Sequence, residues 1–184
     1  DANARMKYEG KTQHEDEYVA LARRTINAYI KDNEVVIAPT ILSRDLLKKK
    51  AGVFVSIHED GRLRGCIGTT APTQDCIADE IIQNAISAAT RDPRFPAIQP
   101  YELLDLEIHV DVLCPPEKIE HESQLDVKKY GVIVSKGNRK GLLLPDLEGI
   151  DSIEEQIKIA KQKAGIGLHE QGCQLERFEV ERHQ

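Results

Sequence analysis

Apolar residues recur at helical spacing near the start of the chain and alternate with polar residues further on, which predicts both helices and strands. An amphipathic helix is predicted from about Glu15 to Lys31, followed by a short helical turn over Ser43 to Lys50. The clearest alternation predicts a strand over Leu103 to Cys114, and a last strand is expected over Leu175 to Arg182. The apolar face of the Leu103 strand is expected to consist of Leu104, Leu106, Ile108, Val110 and Val112.

Two segments share the order of a hairpin followed by a helix. The first hairpin spans Val53 to Gly68 and precedes a helix for which Thr73 is the expected N-cap. The second spans Gly131 to Leu144 and precedes a helix over Ile153 to Ala164 that opens with a capping box. The repeated order predicts an internal duplication.

The paired hairpins are also similar in sequence, because Gly52 to Ser56 matches Gly131 to Ser135 at four of the five residue types. In the second strands Leu142 takes the place of Cys66, so packing at that position does not require sulfur. The elements together predict an α+β fold: a two-lobed single domain with a mixed or antiparallel sheet and an internal hairpin–helix repeat.

The length of 184 residues suits one substantial domain, which we expect over residues 15–182. Residues 1–14 are interpreted as an N-terminal tail. The only methionine is Met6, so Asp1 to Arg5 are interpreted as derived from an expression vector.

The most unusual local sequence is Leu63 to Gly68, in which Cys66 stands between two glycines and close to Arg64. Glycine on either side allows close approach to the sulfur, and a nearby cation favours the nucleophilic thiolate. These features predict a reactive thiol at Cys66. The alternative is a small buried core residue, which is the commoner role of a free cysteine.

The segment after Cys66 leads into a helix N-terminus, where free amides and the helix dipole favour an anion. Gly65, Gly68, Thr69, Thr70 and the Arg64 guanidinium are candidate residues for binding a phosphate or carboxylate there. A strand-to-helix turn capped by Thr73 is the structural alternative.

Two arginines, Arg91 and Arg94, flank Asp92 after the same predicted helix and are further candidates for binding an anionic group. Fixing the loop around Pro93 is their alternative role. We expect Arg64, Cys66 and one of Arg91 or Arg94 to line a common cleft at the N-terminal end of the Thr73 helix.

Glu107, His109 and Asp111 share the polar face of one predicted strand and have side chains of metal-ligand type. Polar residues opposite an apolar face are typical of any half-solvated strand, so no metal site is assigned. The cofactor is unknown. Cys66, Cys76, Cys114 and Cys173 form no Cys-x-x-Cys pair, and Cys76 and Cys114 are interpreted as packing residues.

Charge and composition argue against several classes of partner. The formal net charge is −6 and aromatic residues make up 4%, which disfavours nucleic-acid binding and base stacking. No apolar stretch approaches the about 20 residues of a membrane span, and no signal sequence opens the chain. A cytoplasmic location with reduced thiols is expected.

Four motifs resemble those of the AMMECR domain family, also known as protein A of the AmmeMemoRadiSam system. The hallmark Leu-Arg-Gly-Cys-Ile-Gly stands at Leu63 to Gly68, and a second motif at Arg91 to Phe95. Gly141 to Pro145 and Lys163 to Ile166 are similar to the third and fourth. The resemblance spans about Glu15 to Arg182. It implies a two-lobed α+β fold with a cleft near the hexapeptide.

The resemblance also implies that genomes often pair this domain with a Memo-like protein and a radical S-adenosylmethionine protein, which are the partners expected here. It supplies no reaction. One departure is that the tryptophan expected after the Lys-Ala-Gly motif is absent, and His169 to Gln171 stands in that region.

Two functional hypotheses follow. In the first, the protein is an enzyme or enzyme component of a three-protein modification system. Cys66 is then a nucleophile, redox thiol or acceptor, and Arg64 either activates it or holds an anionic substrate. In the second, it is a non-catalytic binding module for a small anion or a partner protein.

Overall fold

The computed structural model describes residues 15–184, and within them the chain forms four α-helices, two short 3₁₀ helices and eight strands. The predicted N-terminal tail lies outside the described residues. The helices are α1 (Glu17–Asp32), α2 (Arg44–Lys48), α3 (Ile77–Thr90) and α4 (Ile153–Ala164). The strands are β1 (Val53–Glu59), β2 (Arg62–Gly68), β3 (Leu106–Leu113), β4 (Glu117–Ile119), β5 (Gly131–Lys136), β6 (Arg139–Leu143), β7 (Gln174–Phe178) and β8 (Val180–His183).

The chain divides into two compact units, each with a four-stranded sheet. The first unit contains residues 15–112 and 182–184, and its sheet has the order β2-β1-β3-β8. The second contains residues 113–181, and its sheet has the order β4-β7-β5-β6. The hairpin strands and their neighbours are antiparallel. The predicted α+β class and two-lobed organisation are confirmed.

Helix α1 follows its predicted periodicity closely. Asp16 caps its start by accepting hydrogen bonds from the amides of Tyr18 and Val19, and Asn33 ends it in the left-handed conformation. Its buried face belongs to an aliphatic core shared with β1 and α3. The core of the second unit is smaller and is formed by residues of β5, β6 and α4.

The start of α3 differs from the prediction. The helix begins at Ile77 with Cys76 as N-cap, so Thr73 is not the cap. The Thr73 amide and hydroxyl both donate to the buried Glu80 carboxylate at 2.6 Å, and the Gln74 amide donates to it at 3.1 Å. The carboxylate of Glu80 thus satisfies the donors that were expected to be open to an anion.

Two strand predictions also need correction. Pro100–Asp105 forms a 3₁₀ helix, so β3 begins at Leu106, and Leu104 is 54% exposed instead of buried. Gln99 and Glu102 close a capping box there, which competes with extension of the strand. The predicted last strand is two strands, β7 and β8, separated at Glu179.

The internal repeat is present in the sheet topology. In each unit the first hairpin strand lies between its hairpin partner and a later strand, β3 in one sheet and β7 in the other. A Cβ on Gly65 would lie 2.2 Å from the Ala88 carbonyl oxygen of α3, and one on Gly141 would lie 2.0 Å from that of Ala160 in α4. Each helix therefore packs on its hairpin at a glycine.

The strand pairing aligns the two hairpins differently from the sequence match. In the first strand of each hairpin, the two alignments differ by two residues. Gly65 pairs with Ile57, and Gly141 pairs with Val134, so these residues are equivalent. The shift of two keeps each side chain on its face of the sheet. Cys66 still matches Leu142, but its partner Ser56 matches Ile133 and not Ser135.

Three large apolar side chains are exposed on the segment between α1 and α2. Val35 is 61% exposed, Ile37 89% and Ile41 91%. The intervening Val36 and Ala38 pack against the first core.

Within residues 15–184 no helix has the length and apolarity needed to cross a membrane.

Candidate thiol site

Cys66 lies on the edge strand of the first sheet, with its side chain half-buried. Its amide donates a hydrogen bond to Asp92 Oδ2 at 3.0 Å. Its Sγ lies 3.3 Å from Ser56 Oγ, directly across the β1–β2 pair. The backbone and the sulfur of this residue are therefore each held by a polar partner.

Asp92 connects Cys66 to Arg94. The Arg94 guanidinium donates from Nε to Asp92 Oδ1 at 3.1 Å and from Nη2 to Oδ2 at 2.9 Å. Burial alone would raise the pKa of Asp92, but the hydrogen bonds from Arg94 and from the Cys66 amide outweigh it and lower that pKa to about 2. Asp92 is therefore ionised at neutral pH.

Arg94 is linked to Cys66 through Asp92, and half of its side chain stays exposed. The pKa of Arg94 lies above its ordinary value, first because of the hydrogen bond to Asp92, and a charged Cys66 acts in the same direction. The attraction is mutual, so this guanidinium favours the thiolate form of Cys66.

A row of three polar side chains crosses the sheet at Cys66. Ser56 pairs with Cys66 on one side and with His109 of β3 on the other. Directly opposed residues of antiparallel strands point to the same face with Cβ atoms about 5 Å apart. The thiol, hydroxyl and imidazole therefore lie on one face, opposite the face on which α3 packs at Gly65.

The surroundings of His109 favour its uncharged form. Burial lowers its pKa below 6.5, and the neighbouring His58 lowers it further, while Asp111 acts in the opposite direction. The two imidazole rings have centroids 5.4 Å apart. His58 Nδ1 is buried and has no hydrogen-bond partner. A neutral imidazole of this kind can accept a proton.

Arg64 does not have the predicted role beside Cys66, because its guanidinium binds other groups. Its Nε and Nη2 donate to Glu102 at 3.0 and 3.2 Å, and its guanidinium also reaches the carbonyl oxygens of Pro96 and Ala97 at 2.7 and 3.3 Å. Arg64 is the extra residue of a bulge in β2, because Ile57 pairs with Gly65 and His58 with Leu63. Arg64 therefore links β2 to the segment that follows α3.

Arg64 also approaches a second carboxyl group. Its Nε lies 4.0 Å from Glu59 Oε2. Burial raises the pKa of Glu59, and its hydrogen bond with Glu102 adds to the rise. Residues at this end of the hairpin line a cavity of about 480 Å³, formed by Glu59, Asp60, Arg62, Leu63 and Arg64.

Three of the predicted anion-binding residues have partners within the fold. Gly65 packs beneath Ala88, and Gly68 lies against the Phe54 ring. Thr69 Oγ1 accepts hydrogen bonds from the Val53 amide and from Asn84 Nδ2, both at 3.3 Å. Thr70 is half-buried and Arg91 is the exposed C-cap of α3.

The predicted common cleft is corrected in its position. Cys66 and Arg94 do come together through Asp92, but Asp92 follows Arg91, the C-cap of α3. The cluster therefore lies at the C-terminal end of this helix and not at its N-terminus. The reason is that the Cys66 amide, on an edge strand, points away from the sheet and needs an acceptor from the loop.

Two of the other cysteines, Cys76 and Cys114, differ from Cys66 in exposure. Cys76 is 8% exposed, and burial raises the pKa of its thiol. Cys114 is exposed, so its predicted packing role is wrong; the residue follows the end of β3. Cys173 is half-buried. No disulfide joins these four residues.

Of the residues of metal-ligand type on β3, Asp111 has another partner. Asp111 is 2% exposed and accepts two hydrogen bonds from Arg182 of β8 at 2.8 and 3.1 Å. In the part of the chain that the structure describes, no group of three or more histidine, cysteine, aspartate or glutamate residues has a geometry suited to a metal ion.

Comparison with known proteins gives the family. The AMMECR1 family model matches residues 19–183, and the chain therefore belongs to the AMMECR1 family. A protein of Thermotoga maritima is 52% identical over 170 residues, covering 92% of this chain and 98% of its own length. The crystal structure titled uncharacterized protein PH0010 from Pyrococcus horikoshii is similar with a TM-score of 0.83 and 33% identity, covering 92% of this chain and 90% of that one.

A longer relative occurs in Clostridium acetobutylicum. It is 48% identical over 178 residues, which cover 96% of this chain but 38% of the relative. In that protein the matched region is part of a considerably longer polypeptide.

Proposed function

We propose that this AMMECR1-family protein acts through a reactive thiol at Cys66, as a component of a three-protein modification system. The observation that carries the proposal is the arrangement of Cys66 between Ser56 and the Asp92–Arg94 ion pair. A cation near a partly exposed thiol, with the backbone of that residue fixed, is the environment of nucleophilic cysteines.

Arg94 supplies the positive charge that the sequence motif suggested for Arg64. Arg64 is bound to Glu102 and acts as a positioning residue that holds β2. Because Arg94 is half exposed, it is also available to an anionic group of a substrate. Nucleophile, redox thiol and acceptor are all roles that a thiolate at this position can fill.

The alternative function is a non-catalytic binding module that uses the same arginine to recognise a small anion or a partner protein. The two functions differ in the reactivity of the thiol. Site-resolved alkylation by iodoacetamide, followed by mass spectrometry, measures Cys66 against the exposed Cys114 in the same sample. We expect Cys66 to react at least about tenfold faster at neutral pH, although it is less exposed.

Arg94→Gln should remove most of this advantage, whereas Arg91→Gln, on the exposed C-cap of the same helix, is the matched control. A Cys66 that reacts more slowly than Cys114 in the parent protein would favour the binding module. In cells, Cys66→Ser should fail to complement a deletion strain that retains the neighbouring system genes, and Cys76→Ser should complement it.

The proposed partners are a Memo-like protein and a radical S-adenosylmethionine protein. Support comes from the family membership of the chain, since its four motifs resemble those of protein A of the AmmeMemoRadiSam system. We assign contact with the Memo-like protein to the exposed apolar segment at Val35, Ile37 and Ile41, because exposed apolar clusters are characteristic of protein contacts.

A further inference from the structure

We propose that His109 is the proton acceptor for Cys66 and that the Ser56 hydroxyl connects the two residues. This inference rests on the proposed reactive role of Cys66 and extends it to two residues outside the hexapeptide. It begins from the sheet register, in which Cys66, Ser56 and His109 are consecutive cross-strand neighbours on one face.

The internal repeat shows that the fold does not require polar residues in this row. The equivalent positions in the second sheet are Leu142, Ile133 and Glu176, so two aliphatic side chains replace the thiol and the hydroxyl. Ser56 is 7% exposed, and a buried hydroxyl costs free energy unless it has a partner. Its Oγ lies 3.3 Å from the Cys66 sulfur.

A serine hydroxyl can accept one hydrogen bond while donating another. Ser56 Oγ contacts the Cys66 sulfur and has no hydrogen bond to His109 in the structure, so the proposed step requires the hydroxyl to turn towards His109. The Cys66 Sγ–H proton then passes to Ser56 Oγ as the Ser56 hydroxyl proton passes to a ring nitrogen of His109. The products are a thiolate and an imidazolium, with no change in oxidation state. The pKa of His109, lowered by burial and by His58, keeps the imidazole neutral and able to accept this proton.

The charged and titratable groups around the row come from four parts of the chain. His58 on β1, Glu107 and Asp111 on β3, and Arg182 on β8 face His109. Asp92 and Arg94 face Cys66. Arg94 stabilises the thiolate end of the proposed step, and the ionised Asp92 opposes it. Glu107 and Asp111 stabilise the imidazolium end, whereas His58 and Arg182 oppose it.

The test is the dependence of Cys66 alkylation on pH, measured residue by residue in the whole protein. His109→Gln and Ser56→Ala should each move the midpoint of the rate profile upward by about one pH unit, which lowers the rate at pH 7 about tenfold. The double variant should add little to either single change. His169→Gln, at an exposed histidine of the second unit, should leave the profile unchanged.

A second measurement needs no variant. The NMR titration of the His109 ring in the parent protein should shift after Cys66 is alkylated, and that of His169 should not. An unchanged rate profile in a folded His109→Gln protein, or a His109 titration insensitive to alkylation, would overturn the relay. If Cys66 of the parent protein is itself no more reactive than Cys114, the proposed thiol function fails instead.

Discussion

Asp92 binds the main chain of Cys66 and leaves the sulfur to other partners. Its Oδ2 accepts the Cys66 amide at 3.0 Å, while the same carboxylate holds the Arg94 guanidinium. One buried carboxylate thus fixes both the strand that carries the thiol and the cation beside it. The two sequence motifs, separated by the whole of α3, form one cluster through this residue.

Asp92→Asn is expected to destabilise the protein by about 1 to 2 kcal/mol at neutral pH, the value corresponding to the lowered pKa after allowance for the exposure of Arg94. Because the folded-state pKa is about 2 and the ordinary value is 3.8, this stabilisation is present above about pH 4 and is lost as the pH falls towards 2. Urea unfolding at a series of pH values measures the difference.

The control for this change is Asp151→Asn, at an exposed position of the second unit. The two variants should converge in stability only under acid conditions. A deficit of Asp92→Asn that persists unchanged at pH 2 would show that packing, and not the ionised carboxylate, accounts for it.

Gly65→Ala should lower the unfolding free energy by at least about 2 kcal/mol, because the added methyl group would overlap the Ala88 carbonyl oxygen of α3. Gly141→Ala should behave similarly in the second unit, where the overlap is with Ala160. Thermal unfolding is the measurement. Gly167→Ala is the control, since its new Cβ would lie 3.4 Å from the flexible Glu170 side chain.

Cys76→Ser should change the free energy of unfolding by less than about 1 kcal/mol, in spite of the burial of Cys76. The residue is the N-cap of α3, and a serine hydroxyl there can accept a hydrogen bond from the Asp79 amide. Cys76→Val, of similar size but without a capping group, should be less stable than Cys76→Ser. Equal stability of the two variants would argue against the capping explanation.

Ile37→Asp combined with Ile41→Asp should abolish copurification with the Memo-like protein while leaving the rate of Cys66 alkylation unchanged. Both side chains are almost fully exposed, so the charges should cost the fold little. Leu168→Asp, at a 47% exposed position of the second unit, is the matched control. If the parent protein instead self-associates through this segment, sedimentation will show it, and the assignment to the Memo-like protein will be wrong.

Hydrophobic periodicity in the sequence predicted the positions of helices and strands, but their boundaries depend on hydrogen bonds that the periodicity does not show. The periodicity of α1 gave its position, since burial of one face of a helix determines that pattern. The Thr73 cap was wrong because Glu80, seven residues away, satisfies the same amides from inside α3. The start of β3 was misplaced because Gln99 and Glu102 form a competing capping box.

The thiol site was predicted only in part, because some of its contacts join residues that are distant in the sequence. Glycines and a cation identified Cys66, but the cation beside it is Arg94 and not Arg64, because a bulge directs Arg64 to Glu102. Ser56 was missed as a partner, since cross-strand register is not encoded by spacing. The available signal was polar Ser56 and His58 alternating with the buried Val55 and Ile57 on β1.

The place of β8 affects how the first sheet is completed during synthesis. Arg182 and the buried Asp111, which it neutralises, are 71 residues apart in the chain, and the whole of α4 and β5 to β7 lies between them. The second unit must therefore emerge from the ribosome before β8, the outer strand of the first sheet, can pair with β3. Until then Asp111 lacks its counterion, and water must solvate its carboxylate. The first unit should therefore complete its folding only after the second unit has been synthesised.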